Sequence, residues 1–118
     1  MRLTMIRTLS LSLGGLLQLA GPTAAAPADQ ALALARANGC MACHGMVHKQ
    51  VGPGFAQVAA RYRDDPAAPS RLAGRIRNGS VGTWGRVIMP RQSRIDEAQA
   101  LLLANWVLSQ PTPAPPTY

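Results

Sequence analysis

Apolar residues along this chain recur at helical spacing and rarely alternate with polar ones. Residues 29–38, 57–63 and 69–77 each predict a short helix, because they are rich in Ala, Leu, Arg and other good helix formers. Gly39 ends the first of these segments and Pro69 begins the third, which are positions that these residue types favour. The pattern therefore predicts short helices joined by loops.

A fourth helix is predicted near the C-terminus. Four apolar residues there follow one another at steps of three, four and four: Ile95, Ala98, Leu102 and Trp106. Such a stripe lies on one face of a helix and must meet a core. Ser93 stands three residues before Asp96, which is the spacing of a capping box, so Ser93 is expected to cap this helix.

The remaining segments predict loops. Residues 80–92 contain Gly82, Gly85 and Pro90 and predict a long loop. No segment alternates apolar and polar residues over more than a few positions, so the sequence predicts an all-α fold without a sheet. Residues 111–118 contain four prolines and predict an extended, disordered tail.

The first 28 residues have the layout of a secretory signal peptide. Two arginines precede a mostly apolar run at residues 9–20, and small residues follow it. The run is shorter than the roughly 20 residues that span a bilayer. We expect cleavage after Ala25 or Ala28 and a periplasmic product. An uncleaved anchor helix is the alternative, because residues 8–28 carry no charge.

Length and composition add one constraint. The 118 residues carry 12 Lys and Arg against 5 Asp and Glu, a net charge of +7, and contain five aromatic residues and two cysteines. This length allows one domain, which we place at residues 29–110. So few aromatic residues provide little material for a hydrophobic core, and two cysteines are too few for a disulfide framework. Another component must therefore stabilise the fold.

The segment Cys40-Met41-Ala42-Cys43-His44 indicates what that component is. C-x-x-C-H is the attachment signature of c-type haem. Two thiols separated by two residues match the two vinyl groups on one porphyrin edge, and His44 then lies under the iron as the proximal ligand. The sequence thus predicts one covalently bound haem c.

Three other interpretations of the two cysteines fit the sequence less well. A structural zinc site needs four ligands, and the chain has only two Cys and two His. A thioredoxin-like redox pair needs a βαβ setting, which the pattern does not predict. A plain disulfide would leave His44 without a role.

The second axial ligand follows by elimination. Met41 lies inside the attachment segment, and Met46 and His48 are too close to His44 to reach round a porphyrin. Met89 lies 45 residues after His44 in a predicted loop. We therefore predict Met89 as the ligand; its alternative role is that of a flexible side chain filling the core.

Six segments between residues 31 and 110 carry a resemblance: NGCMACHG, VGPGF, RIRNGSVGTWG, IMP, DEAQ and NWVLSQ. In order and spacing they resemble a short bacterial class I cytochrome c of the cytochrome c-551 type. The resemblance implies three to five helices wrapped round one covalently bound haem. It also implies that the first and last helices cross, with Gly39 giving Trp106 room to approach.

The resemblance implies roles for four further residues. The Pro53 carbonyl is expected to accept a hydrogen bond from His44 Nδ1, which would orient the ring. Arg75 and Trp84 are expected to hydrogen-bond a haem propionate. Gln92 is expected to donate to the sulfur of the ligand methionine.

The chain departs from the family pattern around that methionine. Arg86 and Ile88 stand where the family usually has proline, and the segment between Met89 and Asp96 is one residue shorter. We therefore expect a softer ligand loop.

These residues predict an electron carrier and not an enzyme. With His44 and Met89 bound, the iron has no open position for a small-molecule substrate, and one-electron transfer remains. The expected function is that of a monomeric carrier in a periplasmic respiratory chain; the alternative is a haem c subunit of a larger periplasmic oxidoreductase complex.

The basic charge bears on partners. Arg91 and Arg94 follow Met89 closely in the sequence. They would form a positive rim that attracts redox proteins with acidic docking surfaces. Solvated surface charge is the simpler alternative. Because the chain is predicted to be exported, nucleic acid is not an expected partner.

Overall fold

The computed structural model describes residues 21–113. Its helices are α1 (Pro27–Ala37), α2 (Phe55–Tyr62), α3 (Ala68–Asn78) and α4 (Glu97–Leu108), with a short 3-10 turn at Cys40–Ala42 and two strands, β1 (Ser80–Gly82) and β2 (Gly85–Met89). The predictions for residues 1–20 and 114–118, which include most of the signal segment and the end of the tail, lie outside the described residues. Between residues 21 and 113 no helix has both the length and the apolar character to cross a membrane.

The four helices occur where the sequence predicts them, and the bounds of α1, α2 and α3 lie within two residues of the predicted ones. Helix α4 packs against the other three. Alanines that are almost fully buried lie on α1 and α4: Ala31, Ala35, Ala100 and Ala104. Because their side chains are small, the two helix backbones can approach closely where they pack together.

The start of α4 differs from the prediction, because Asp96 and not Ser93 is the cap. Asp96 Oδ1 accepts a hydrogen bond from the Gln99 backbone nitrogen at 2.8 Å, and Gln99 Oε1 accepts one from the Asp96 nitrogen at 3.0 Å. This is a complete capping box one turn later than the one that the spacing suggested. The prediction chose the wrong pair because both pairs have the required spacing.

The predicted apolar face of α4 is also partly wrong. Ala98 is exposed, although Ile95 and Trp106 are buried. Within the helix the buried residues are Ala100, Leu103, Ala104, Trp106 and Val107. Helix α4 is apolar on nearly every side, so several faces satisfy a helical period, and only its packing between the other helices selects one.

The prediction of a long loop without a sheet is wrong for residues 80–89. Strands β1 and β2 form an antiparallel hairpin in which Ser80 pairs with Met89 and Gly82 with Gly85. Between these two pairs, β1 has one residue and β2 has three, so β2 bulges. The strands are short, rich in glycine and mostly exposed, which leaves no two-residue alternation for a sequence pattern to reveal.

Gly39 has a different role from the one expected. A Cβ at Gly39 would meet no atom within 4 Å, so this glycine does not make room for Trp106. Its φ of 72° is left-handed, which glycine adopts at little cost immediately after a helix. Gly39 therefore turns the chain out of α1 and into the cysteine segment.

Candidate haem-binding site

A cavity of about 350 Å³ gathers the residues that the sequence singled out. The eight predicted site residues all line it: Cys40, Cys43, His44, Pro53, Arg75, Trp84, Met89 and Gln92. They come from the cysteine turn, from the loop that precedes α2, from α3, from the hairpin and from the segment after it. Helix α4 contributes apolar side chains. Residues far apart in sequence thus surround one space.

The cysteine turn forms one wall of the cavity. The Cys40 carbonyl accepts hydrogen bonds from the Cys43 and His44 nitrogens, at 3.2 and 3.0 Å. The two thiols are free, with Cys40 half-buried and Cys43 exposed. Burial, together with the neighbouring Cys43, raises the pKa of the Cys40 thiol. Both sulfur atoms belong to the same tight turn, as attachment to one porphyrin edge requires.

His44 is oriented by contacts on several sides. Its Nδ1 donates to the Pro53 carbonyl at 2.7 Å, since a carbonyl oxygen can only accept. The Phe55 ring stacks on the imidazole at a centroid distance of 5.1 Å and an angle of 15°. A Cβ at Gly52 would lie 2.8 Å from His44 Cε1. The proton on Nδ1 leaves the lone pair of Nε2 free to bind a metal.

Met89 lies at the end of β2. It is half-buried, lines the same cavity as His44 and pairs with Ser80 across the hairpin. The structure therefore brings this thioether to the cavity through a strand and not through the long loop that the sequence predicted. The hairpin positions Met89 relative to α3, because Ser80, which pairs with Met89, is separated from the end of α3 by Gly79 alone.

The remaining predicted residues each have a protein partner as well as a place at the cavity. Arg75 Nη1 donates to the Tyr62 hydroxyl at 2.8 Å, and Gln92 Nε2 donates to the Pro90 carbonyl at 3.1 Å. These bonds use part of the donor capacity of each side chain, since a guanidinium has five N–H donors and an amide has two.

Trp84 is covered by a residue that sequence reasoning missed. The Arg61 guanidinium lies 4.7 Å from the Trp84 ring centroid and donates to the Thr83 carbonyl at 3.1 Å. Arg61 thereby joins α2 to the turn of the hairpin through a cation–π contact and a hydrogen bond. No sequence spacing connects residues of a helix and a turn, so no signal could have paired them. The sequence could have indicated Gly52 and Phe55 as neighbours of His44, because both lie within two residues of Pro53.

The segments round the cavity are strongly basic. Residues 35–62 and 75–95 supply most of its lining and contain eight Lys and Arg residues and no Asp or Glu. One of these cations, Arg77, lies 4.0 Å from a Glu97 carboxylate oxygen, and the pair of Arg71 with Asp65 at 2.6 Å lies outside these segments. The cavity therefore lies in an electropositive part of the molecule.

Comparison with known proteins identifies the family. A sequence model of the cytochrome c family matches residues 28–111. The chain belongs to the cytochrome c family. Cytochrome c-552 of Nitrosomonas europaea is 43% identical to this cytochrome over 76 residues, which are 64% of this chain and 74% of that protein. Cytochrome c-551 of Pseudomonas aeruginosa is 47% identical over 72 residues, which are 61% and 68% of the two chains.

Solved structures support the same conclusion. The crystal structure of wild-type Nitrosomonas europaea cytochrome c552 matches this cytochrome with a TM-score of 0.65 and 42% identity, over 67% of this chain and 98% of that one. The prediction of a short class I c-type cytochrome, with a few helices round a haem, is confirmed. Members of this family bind one covalently attached haem c, and this cytochrome does so too.

The residues round the cavity fit that cofactor. Two free thiols and an oriented imidazole line the cavity with a thioether. Val81, Val87 and Ile88 of the hairpin also line it and are 60 to 69% exposed, so a bound porphyrin would cover apolar surface. Among residues 21–113 no three His, Cys, Asp or Glu side chains cluster as a structural zinc ion would need.

Proposed function

We propose that this cytochrome is a one-electron carrier of a periplasmic respiratory chain. Cys40 and Cys43 would form the thioether links to the haem, and His44 and Met89 would bind its iron. The observation that carries the proposal is the hydrogen bond from His44 Nδ1 to the Pro53 carbonyl, beside a cavity that Met89 also lines. When bound, haem c supplies reversible one-electron exchange at its iron.

The protein contributes orientation and an apolar environment. Pro53 fixes the tautomer of His44 and raises the donor strength of Nε2. The apolar side chains of the hairpin and α4 exclude water, and burial in such a medium favours the less charged, reduced state. Two axial ligands leave no position for a substrate, so the residues support a carrier and not an enzyme.

Three polar residues complete the proposed site. Arg75 keeps N–H donors free beyond its bond to Tyr62 and would hydrogen-bond a propionate, with Trp84 donating from its indole nitrogen. Gln92 has one amide hydrogen on the Pro90 carbonyl and would direct the other to the sulfur of Met89. These contacts would hold the propionate edge and the thioether in place.

Export is part of the proposal. The structure of α1 favours cleavage after Ala25 over cleavage after Ala28, because α1 begins at Pro27 and the Gln30 backbone donates to the Ala26 carbonyl at 3.0 Å. Cleavage after Ala28 would remove the first two residues of the helix. The mass of the mature protein would distinguish the two sites.

The basic segments round the cavity support partners with acidic docking surfaces. Opposite charges raise the association rate of transient complexes, and salt screens this effect. We expect electron transfer to the physiological partner to slow as the ionic strength rises. A rate that increases with salt would contradict an acidic partner.

The experiment that tests the carrier function is gel filtration of native periplasmic extract, followed by haem staining. A free carrier elutes at the size of the monomer. Elution with a larger assembly would instead support the alternative, a haem c subunit of an oxidoreductase complex.

A further inference from the structure

Residues 89–92, the Met89 segment, lie across the C-terminal end of α3. The Gln92 backbone nitrogen donates to the Ile76 carbonyl of α3 at 3.1 Å. Met89 itself pairs with Ser80, which is separated from α3 by one residue, Gly79. The end of α3 and the residues after it thus hold this segment on both sides of Met89.

Gly79 is in direct contact with the Met89 segment. A Cβ at Gly79 would lie 2.8 Å from the Met89 carbonyl oxygen and 3.1 Å from the Arg91 nitrogen. Real Cβ atoms essentially never approach other heavy atoms to within 3.0 Å. Both neighbours are backbone atoms, so no side chain can rotate away, and the Met89 segment itself would have to move.

The other left-handed glycines show that this contact is specific. Within the described residues four glycines have positive φ: Gly39, Gly79, Gly82 and Gly85. A Cβ at any of the other three would meet no atom within 4 Å. Backbone conformation therefore suffices to explain those three glycines. Gly79, with a φ of 82° and a ψ of 172°, has a conformation that essentially only glycine adopts, and in addition a Cβ there would collide with the segment that carries Met89.

We propose that Gly79 is a positioning residue for Met89. The Met89 carbonyl lies where a side chain at this position would be, and this close approach sets how far the thioether reaches into the cavity. The inference rests on the proposed binding of iron by Met89. A site of this kind needs its ligands held within about 0.5 Å of the productive geometry, and a displaced carbonyl moves the side chain on the same residue.

The test compares Gly79→Ala with Gly85→Ala in the oxidised haem protein. Both variants place alanine at a positive φ in or next to the hairpin, but only the first adds a collision, and Gly85 does not line the cavity. We expect Gly79→Ala to lose most of the near-infrared methionine-to-iron charge-transfer band. It should also bind imidazole at least about tenfold faster than the parent. A tenfold change corresponds to roughly 1.4 kcal/mol less favourable binding of Met89 to the iron. Gly85→Ala should keep the band.

Two results would overturn the proposal. If Gly79→Ala keeps the band and the parental imidazole rate, the contact does not position Met89. If Gly85→Ala loses the band to the same extent, strain in the hairpin backbone is the cause and the collision is not.

A second measurement covers the case in which Gly79→Ala yields little haem protein. In a Met89→Ala background the segment is not attached to iron and can move off the added Cβ. The cost of Gly79→Ala in the free energy of unfolding, measured by urea without added imidazole so that Met89 stays bound in the parent, should therefore be smaller in that background than in the parent. An equal cost in both backgrounds would show that Gly79 serves the fold alone.

The parent protein separates this proposal from the one on which it rests. A parent without the charge-transfer band, or one whose band survives in Met89→Ala, overturns the ligation by Met89 and with it the role of Gly79. A band that Met89→Ala abolishes and Gly79→Ala retains overturns only the role of Gly79.

Discussion

At the scale of single residues, the two proposed axial ligands are held in different ways. His44 is held through its side chain, by the Pro53 carbonyl, the Phe55 ring and the close approach of Gly52. Met89 is held through its backbone, by the hairpin. A flexible thioether thus depends on the placement of its main chain, whereas the imidazole is fixed directly.

Gly52 gives the first prediction. In Gly52→Ala the new Cβ would press on the His44 ring, so we expect a loss of about 1–3 kcal/mol in the free energy of unfolding, the usual cost of overpacking. Denaturant unfolding of the oxidised haem protein measures it, and NMR shifts of the haem methyl groups report a rotated imidazole. Gly74→Ala in α3 is the matched control, because a Cβ there meets nothing within 4 Å. Equal stability of the two variants would contradict a packing role for Gly52.

Met89 gives the second prediction. Met89→Ala should remove the near-infrared charge-transfer band and open the iron to cyanide or imidazole. Its reduction potential should fall by a large share of the roughly 0.8 V that axial ligands span, because a thioether favours reduced iron more than water does. Met46→Ala is the control, since Met46 is 38% exposed and lies only two residues after His44. If Met46→Ala loses the band and Met89→Ala does not, the ligand has been wrongly assigned.

At the scale of elements, α4 is the helix against which the other three pack. Its capping box therefore matters beyond one helix end, since fraying of its first turn would loosen the burial of Ala100 and Leu103.

The cap of α4 gives the third prediction. Asp96→Ala removes the acceptor for the Gln99 backbone nitrogen and should cost about 0.5–2 kcal/mol in the free energy of unfolding. Ser93→Ala should cost almost nothing, because Ser93 is exposed and lies outside the capping box. Thermal unfolding of both haem-loaded variants measures the difference. A larger loss for Ser93→Ala would show that the helix begins one turn earlier.

At the scale of the whole molecule, the hydrophobic core adjoins the haem-binding cavity, because core residues such as Phe55, Leu103 and Trp106 also line the cavity. The cavity reaches α3, α4 and the hairpin, and large hydrophobic side chains such as Val81 and Ile88 are exposed beside it. A domain of this size is marginally stable even when its core is filled by protein.

The fourth prediction concerns the protein without haem. A Cys40→Ala/Cys43→Ala variant purified free of haem should be largely unfolded, because the apolar faces round the cavity would lose the group that covers them. Far-ultraviolet circular dichroism and a thermal scan, compared with the haem-loaded parent, measure this. A cooperative transition with native helical content would show that the chain builds its own core.

Local features of the sequence predicted much of the fold and of the candidate site. Propensity, glycine and proline signals predicted the four helices, because these act within a few residues. The C-x-x-C-H segment and the distance from His44 to Met89 pointed to the cofactor and to both proposed ligands. These inferences needed no knowledge of which helix packs on which.

The tertiary structure decided what depends on contacts between distant segments. The hairpin exists because residues 80–89 pair with each other beside α3, although their composition resembles a loop. The buried face of the nearly all-apolar α4 is selected by its neighbours, and the Arg61–Trp84 contact joins a helix to a turn. The sequence by itself determined the helices and the haem-attachment chemistry, because these are properties of neighbouring residues. Only the folded chain decided how Met89 is held, because Gly79 meets the Met89 carbonyl across ten residues of sequence.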